Sequence, residues 1–104
     1  MNMICLQCFV SEAERHHGKL AYEWLLDLAR EHGFAGGTAF RALAGFGRHG
    51  QHHDAGFFEL AGSLPVVVEF FVDDAAADQY LALIGQAGLK LVYAKLPVET
   101  GVTG

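Results

Sequence analysis

The run PVVVEFFV at residues 65–72 constrains the fold more strongly than any other segment of the chain. β-branched and aromatic side chains dominate it, which predicts a β-strand. Successive side chains on a strand point to opposite faces, so Val68 and Phe70 share one face while Val67 and Phe71 share the other. Because both faces are apolar, something must cover each side of the sheet that contains this strand.

The rest of the chain alternates between helical and strand periodicity. Helical spacing predicts one helix over residues 19–32, closed by Gly33, since glycine takes a positive φ without steric penalty. A second helix is predicted from an N-cap at Asp73 or Asp74 to Gly88. Strands are predicted at residues 3–10, 37–46, 65–72 and 89–98, with FFEL at 57–60 as a further short candidate.

The order of these elements predicts the fold class. Strand–helix–strand–strand–helix–strand is the order of the ferredoxin-like fold, an α+β sandwich with two helices on one face of an antiparallel sheet. No internal repeat or linker divides the chain. We therefore expect a single domain over residues 1–104, with a loop at about 45–64 and a frayed tail at about 99–104.

The pattern assigns the two faces of this sheet to different neighbours. The helices are expected to cover the face that carries Leu6, Cys8, Phe40, Val68 and Phe70. The opposite face then presents Cys5, Phe9, Leu43, Val67 and Phe71, together with Gln7, Arg41 and Glu69. Such an apolar patch is unusual on a monomer, so we expect another subunit to cover it. In this interpretation Arg41 and Glu69 occupy neighbouring positions and are able to pair.

Composition and charge exclude several classes of function. Seven basic and twelve acidic side chains give a net charge of −5, and no segment gathers lysine or arginine, which argues against nucleic-acid binding. No apolar run approaches the roughly 18–20 residues that span a bilayer, and the N-terminus lacks the features of a signal peptide. We expect a cytoplasmic protein without membrane insertion. Cys5 and Cys8 point to opposite faces of a strand, so we interpret both as reduced, structural thiols.

The segment GFGRHGQHH at residues 45–53 is the main candidate for chemistry. Glycines let the backbone approach an anion closely, and an arginine adds a bidentate contact to phosphate. The segment leaves a strand, whereas a Walker A loop opens a helix. The candidate set for a nucleotide or another anion is Gly45, Phe46, Gly47, Arg48 and His49, with Arg41 and Lys19 as further cations.

Two other interpretations of the same segment stay open. His49, His52 and His53 supply imidazoles that suit zinc, nickel or copper, although their spacing matches no common structural zinc pattern. Alternatively, the glycines make residues 45–64 a flexible docking loop that becomes ordered when a ligand or a partner protein binds. The docking interpretation is compatible with anion binding.

We found no catalytic constellation in the sequence. Neither Ser11 nor Ser63 lies in the G-x-S-x-G motif, and no pair of carboxylates has a spacing that implies acid–base catalysis. Glu12 and Glu14 are expected to be solvated loop charges. The sequence therefore favours a protein that is not an enzyme.

Several short motifs, in a specific order, resemble a family of small PII-like proteins of bacteria and archaea. The family is catalogued as domain of unknown function one-ninety, and the likeness runs from about residue 3 to residue 98. The motifs that carry it are His17-Gly18-Lys19, Gly36-Gly37-Thr38, Arg41, Ala44-Gly45-Phe46-Gly47 and Leu64-Pro65-Val66-Val67.

A more distant likeness is to the classical PII signalling proteins. Gly45-Phe46-Gly47-Arg48 resembles the segment that opens their T-loop, and His52 falls where that motif usually has a histidine. The resemblance implies a homotrimer that binds adenine nucleotides in clefts between subunits. It also implies that the loop docks on a partner protein, a transporter or an enzyme.

The departures from the classical pattern bear on the ligand. The segment DAGFFELAGS lacks the tyrosine that classical PII proteins modify, and QAGLKLVYAK lacks their basic phosphate loop. Uridylylation is therefore not expected. A nucleotide with few phosphates, AMP or ADP, fits these losses better than ATP.

Overall fold

The computed structural model describes residues 3–46 and 64–104. The predicted FFEL strand and the central part of the loop lie outside these residues. The elements are β1 (Met3–Ser11), β2 (Arg15–His16), β3 (Lys19–Leu20), α1 (Ala21–Glu31), β4 (Thr38–Arg41), β5 (Pro65–Asp73), α2 (Asp74–Gln86) and β6 (Val92–Pro97). A four-stranded antiparallel sheet has the order β4-β5-β1-β6, and β2 pairs with β3. These features confirm the α+β, ferredoxin-like prediction.

The two long strands β1 and β5 form the centre of the sheet, in a register that matches their apolar faces. Leu6 pairs with Phe70 and Cys8 pairs with Val68, so these four side chains share one face. All four are at most 1% exposed. This face forms the core with both helices, as the alternation of residues in each strand predicted.

The helices close this face with alanine, aliphatic and aromatic side chains. Leu25 of α1 and Tyr80 of α2 are almost completely buried. The Tyr80 hydroxyl donates a hydrogen bond of 2.7 Å to the Leu25 carbonyl, so burying the phenol leaves no unsatisfied polar atom. Phe70 contacts the Tyr80 ring edge-on, at 5.2 Å between ring centroids. These contacts tie the two helices to the middle of the sheet.

The predicted helix ends are confirmed at three of four positions. The Asp73 side chain accepts a hydrogen bond of 2.8 Å from the Ala75 amide and caps α2. Gly33 and Gly88 follow the two helices with φ of 84° and 85°. The first helix begins at Ala21 instead of residue 19, because β2 and β3 form a hairpin in the segment predicted as loop and start of helix.

The prediction for β4 was partly wrong. The strand ends at Arg41 instead of residue 46, and Leu43 lies beyond it at 98% exposure. Phe40 pairs with Val67, which places it on the face away from the helices. Arg41 pairs with Val66 and therefore lies on the helix side. Residues 37–46 are apolar at both parities, so their alternation alone does not decide which face meets the helices.

The predicted pairing of Arg41 with Glu69 was also wrong, because the two residues lie on opposite faces. Arg41 Nη1 is 3.3 Å from Glu12 Oε2. Glu69 Oε2 accepts a hydrogen bond of 2.8 Å from Gln7 Nε2. The β1–β5 register places Gln7 opposite Glu69, and the β4–β5 register turns Arg41 to the other face.

The last strand and the tail complete the chain. β6 begins at Val92 instead of residue 89, and Leu89 is buried in the turn that precedes it. The Val98 amide donates to the Met3 carbonyl at 3.3 Å, and residues 99–104 are exposed without regular structure. Within residues 3–46 and 64–104, no helix is long and apolar enough to cross a membrane.

Candidate functional site

A partly open cavity of about 330 Å³ lies on the helix side of the sheet, where the 45–64 loop begins and returns. β4 ends in this cavity and β5 starts in it. Its volume is at the lower end of the range of small-molecule sites. The lining residues are Glu12, Leu20, Tyr22, Ala39, Arg41 and Val66.

Backbone hydrogen bonds fix the two ends of the loop beside the cavity. The Glu12 amide donates to the Leu64 carbonyl, and the Ala42 amide donates to the Pro65 carbonyl, both at 2.8 Å. A Cβ on Gly45 would lie 3.2 Å from Pro65 Cγ, so the chain that enters the loop packs closely on the chain that leaves it. The position of Arg41 in the cavity is therefore coupled to the position of both loop ends.

The cavity combines an apolar wall with one ion pair. Leu20, Ala39 and Val66 supply the apolar side chains, and Tyr22 adds a ring with a hydroxyl. Arg41 is the basic residue of the lining, and its side chain is 68% exposed. A guanidinium has five N–H donors, so an arginine with this exposure is able to bind a phosphate or carboxylate group.

The structure brings few of the predicted anion-binding residues together. Arg41 lines the cavity, whereas Lys19 Nζ lies 2.7 Å from Asp27 Oδ2 on the surface of α1. The hydrogen bond between them raises the pKa of the Lys19 ammonium and lowers the pKa of the Asp27 carboxyl, so both groups stay charged. Gly45 packs on Pro65, and Phe46 is 79% exposed. The remaining predicted residues, Gly47, Arg48, His49, His52 and His53, lie outside the described residues.

Sequence reasoning missed two members of the cavity. Glu12 was expected to be a solvated loop charge, yet its side chain is 26% exposed and contacts Arg41. Tyr22 was not singled out. Glu12 and Arg41 are 29 positions apart, and no motif connects them. Only the packing of β4 and the end of β1 on either side of β5 brings the two together.

A second cluster, of aromatic and imidazole rings, lies at the β2–β3 hairpin. His17 and Gly18 both have positive φ, of 52° and 83°, as a tight hairpin turn requires. The His16 ring stacks on His17 at 4.0 Å and meets Trp24 edge-on at 4.4 Å. His16 Nε2 is buried without a hydrogen-bond partner among the described residues, and burial lowers the pKa of this imidazole.

The described residues contain no group of three or more histidine, cysteine, aspartate or glutamate side chains with metal-binding geometry. The metal interpretation rested on His49, His52 and His53, which lie outside those residues. It stays a prediction.

The face of the sheet away from the helices, here called the open face, is apolar with a polar row across its centre. Gln7 and Glu69 occupy that row beside Thr38 and Ala94. The aromatic and aliphatic rows above and below it consist of Phe9, Phe40, Val67 and Val92 on one side and Cys5, Phe71 and Leu96 on the other.

The two cysteines are free and lie on opposite faces, as predicted. Burial raises the pKa of the Cys5 thiol, and the nearby Glu69 carboxylate raises it further. Burial raises the pKa of the Cys8 thiol to about 12. Neither thiol has the lowered pKa of a reactive cysteine, which agrees with a structural role for both.

One glycine of the family-like motifs has a structural explanation. A Cβ on Gly37 would lie 2.5 Å from Phe70 Cε1 and 3.1 Å from Leu26 Cδ2. Residue 37 must therefore lack a side chain for β4 to approach the core. Packing alone therefore explains the glycine at position 37 of this motif.

Comparison with known proteins places these features in a family. The family model DUF190, described as "Uncharacterized ACR", matches residues 3–90. The chain belongs to this family. A UPF0166 protein of Aquifex aeolicus is 41% identical over 76 residues, which cover 73% of this chain and 72% of that protein. A UPF0166 protein of Methanocaldococcus jannaschii is 27% identical over 64 residues, covering 62% and 58% of the two chains.

The DUF190 match confirms the family predicted from the motifs over residues 3–90. It spans every described element from β1 to α2. The cavity residues and the ends of the loop all lie inside the matched range.

Proposed function

We propose that this DUF190 protein is a PII-like regulatory protein that senses a small anionic ligand, an adenine nucleotide such as AMP or ADP. The single observation that carries the proposal is the position of Arg41 in a cavity at the base of the loop. Ligand binding there changes the distribution of loop conformations, and the loop docks on a partner protein, a transporter or an enzyme. The protein regulates and does not catalyse.

The cavity suits a nucleotide with few phosphates. Its apolar wall accommodates a base or a ribose edge, and Arg41 supplies one guanidinium for one phosphate. No second basic residue lines the cavity within residues 3–46 and 64–104, since Lys19 is paired with Asp27. A chain of three phosphates would find little compensation for its charge.

The proposal includes a homotrimer in which copies of this chain cover one another's open faces. Phe40, Phe71 and Leu96 are 43–54% exposed on this face, and such contiguous apolar surface is typical of an interface. Within residues 3–46 and 64–104, β4 lies at the edge of the sheet, so a neighbouring subunit is able to border the cavity. The classical PII proteins, which this chain resembles distantly, suggest three subunits with the ligand between them.

A cytoplasmic location completes the proposal. Both cysteines are free and neither is placed to form a disulfide with the other, which fits a reducing compartment.

Calorimetric titration with AMP, ADP and ATP tests the proposal. We expect saturable binding of AMP or ADP near one per chain, and a loss of at least about tenfold in affinity for Arg41→Gln, because a charged hydrogen bond to phosphate is lost. Arg30→Gln is the matched control, since Arg30 is 81% exposed on α1 and outside the cavity.

Two results would contradict the proposal. Wild-type protein that binds none of the three nucleotides would exclude nucleotide sensing. Zn²⁺ uptake that is lost in a His52→Ala, His53→Ala variant, without nucleotide binding, would support the metal interpretation instead.

A further inference from the structure

The ion pair between Glu12 and Arg41 occupies the position that an anionic ligand needs. Arg41 Nη1 and Glu12 Oε2 are 3.3 Å apart, at the long end of a charged contact. The two side chains line the same cavity. A ligand phosphate that binds Arg41 must therefore either share the guanidinium with this carboxylate or displace it.

The same pair spans the start of β5. Glu12 follows the end of β1, and Arg41 ends β4, which are the two strands that flank β5 in the sheet. The pair thus crosses β5 near Pro65 and Val66, where the loop rejoins the sheet. A ligand phosphate that displaced Glu12 from Arg41 would therefore do so at the loop base.

Charge gives the carboxylate a second effect on ligand choice. Glu12 repels every negative charge that enters the cavity, and the repulsion grows with the charge of the ligand. Glu12 is only 26% exposed, so water and salt screen it less than a fully exposed carboxylate. Lys19 does not offset it, because its ammonium contacts Asp27.

We propose that Glu12 is a specificity-determining residue that selects weakly charged anions, such as a nucleoside monophosphate, at Arg41. It competes for the guanidinium and disfavours additional phosphates. This inference rests on the proposed function, because it assumes that Arg41 binds the ligand.

The test compares AMP and magnesium-free ATP on wild-type protein and Glu12→Gln. Removing the carboxylate should tighten AMP binding about threefold to fivefold, the range expected for loss of one partly exposed competing pair. ATP binding should tighten by about tenfold or more, since ATP carries more negative charge. The ratio of the two affinities must therefore fall in the variant.

Glu99→Gln is the matched control, because it changes the net charge equally on the exposed tail. It should leave both affinities within about twofold of wild type, which separates a local effect from a change in overall charge. Inorganic phosphate, titrated in parallel, should show the same tightening in Glu12→Gln if the phosphate group alone meets Arg41.

The outcomes separate this inference from the proposed function. If wild-type protein binds AMP but Glu12→Gln tightens neither nucleotide, or tightens both equally, selection by Glu12 is overturned and nucleotide sensing stands. If neither protein binds a nucleotide or phosphate, both proposals fail. If wild-type protein binds AMP but rejects ATP, and Glu12→Gln binds both, both proposals are supported.

Discussion

The two faces of the sheet differ in how deeply their apolar side chains are buried. The helices cover one face, and the described chain leaves the other face exposed. On the helix side, Leu6, Cys8 and Val68 are fully buried. On the open face, Phe71 is 54% exposed and Phe40 is 52% exposed. The strands contribute apolar residues to both sides, so the difference lies in what covers each face.

The two faces of the sheet also differ in the polar groups that they carry. The helix-side core of the described chain contains no buried charged residue, and its Tyr80 hydroxyl is bonded to a backbone carbonyl. The open face carries Gln7 bonded to Glu69 in the middle of an apolar surface. A polar pair inside an apolar patch adds little to folding, but in the proposed homotrimer it would fix the orientation of the neighbouring subunit, because a misplaced subunit would leave it unsatisfied.

The largest expected effect comes from two neighbouring phenylalanines on β5. Phe70→Ala should lower the free energy of unfolding by about 3–5 kcal/mol, because Phe70 is 1% exposed and packed between Phe34 and Tyr80. Phe71→Ala should cost the isolated chain less than about 1.5 kcal/mol, since half of the side chain is already exposed. Urea denaturation measures both values.

The Phe71→Ala variant should also differ from wild type in the association of its subunits. At low protein concentration, Phe71→Ala should dissociate more readily than wild type in sedimentation experiments, because Phe71 belongs to the proposed interface. An identical assembly constant for Phe71→Ala and wild type would show that the open face is not the contact surface.

A smaller effect is expected for the polar row. Gln7→Ala should weaken the proposed homotrimer by about 1–3 kcal/mol, because assembly would then bury the Glu69 carboxylate without its hydrogen-bond donor. Thr38→Ala is the control in the same row, as it removes a side chain that is exposed at the edge strand. A Gln7→Ala trimer as tight as wild type would contradict the proposed burial of this row.

The smallest expected effect is the pH dependence of stability that comes from His16, whose ring packs against Trp24 of α1. Burial lowers the pKa of His16 in the native state, so folding favours the neutral imidazole. The stability that this contributes is full above the unfolded pKa of about 6.5 and is lost as the pH falls from there through the lowered native pKa. Melting temperature should therefore decline between about pH 7 and 5, and His16→Asn should flatten this decline.

Trp24 provides a direct probe of this proton effect, since it is the single tryptophan and its ring meets His16. His32→Asn is the control, because that imidazole is exposed at the end of α1. If the His16→Asn variant keeps the wild-type pH dependence of the melting temperature and of Trp24 fluorescence, the His16 imidazole is not the source of that pH dependence.

The sequence correctly predicted the elements for which the residue pattern shows clearly which face is buried or where the element ends. In β1 and β5 the polar residues, Gln7 and Glu69 among them, fall on one face and mark it as the open face, and α2 has a cap at Asp73 and a terminating glycine at Gly88. β4 was placed on the wrong face because its residues are apolar at both parities. Its register follows from contacts with β5, such as Phe40 beside Val67, which a local pattern does not contain.

The candidate site was predictable only in part. Arg41 was recognised because it belongs to a family-like motif, and Gly45 because glycine-rich segments approach ligands. Glu12 has no such signal, since its role depends on a partner that the sheet brings from another strand. The strands assemble the cavity, and only the folded chain shows which charges face each other in it.

The most direct test of the account is the mass of the native protein in solution. Sedimentation equilibrium over a range of micromolar concentrations should give three times the chain mass of 11.2 kDa, because in the proposed homotrimer copies of the chain cover one another's open faces. A mass of one chain at every concentration would leave the open face exposed to water and would contradict the proposed PII-like assembly.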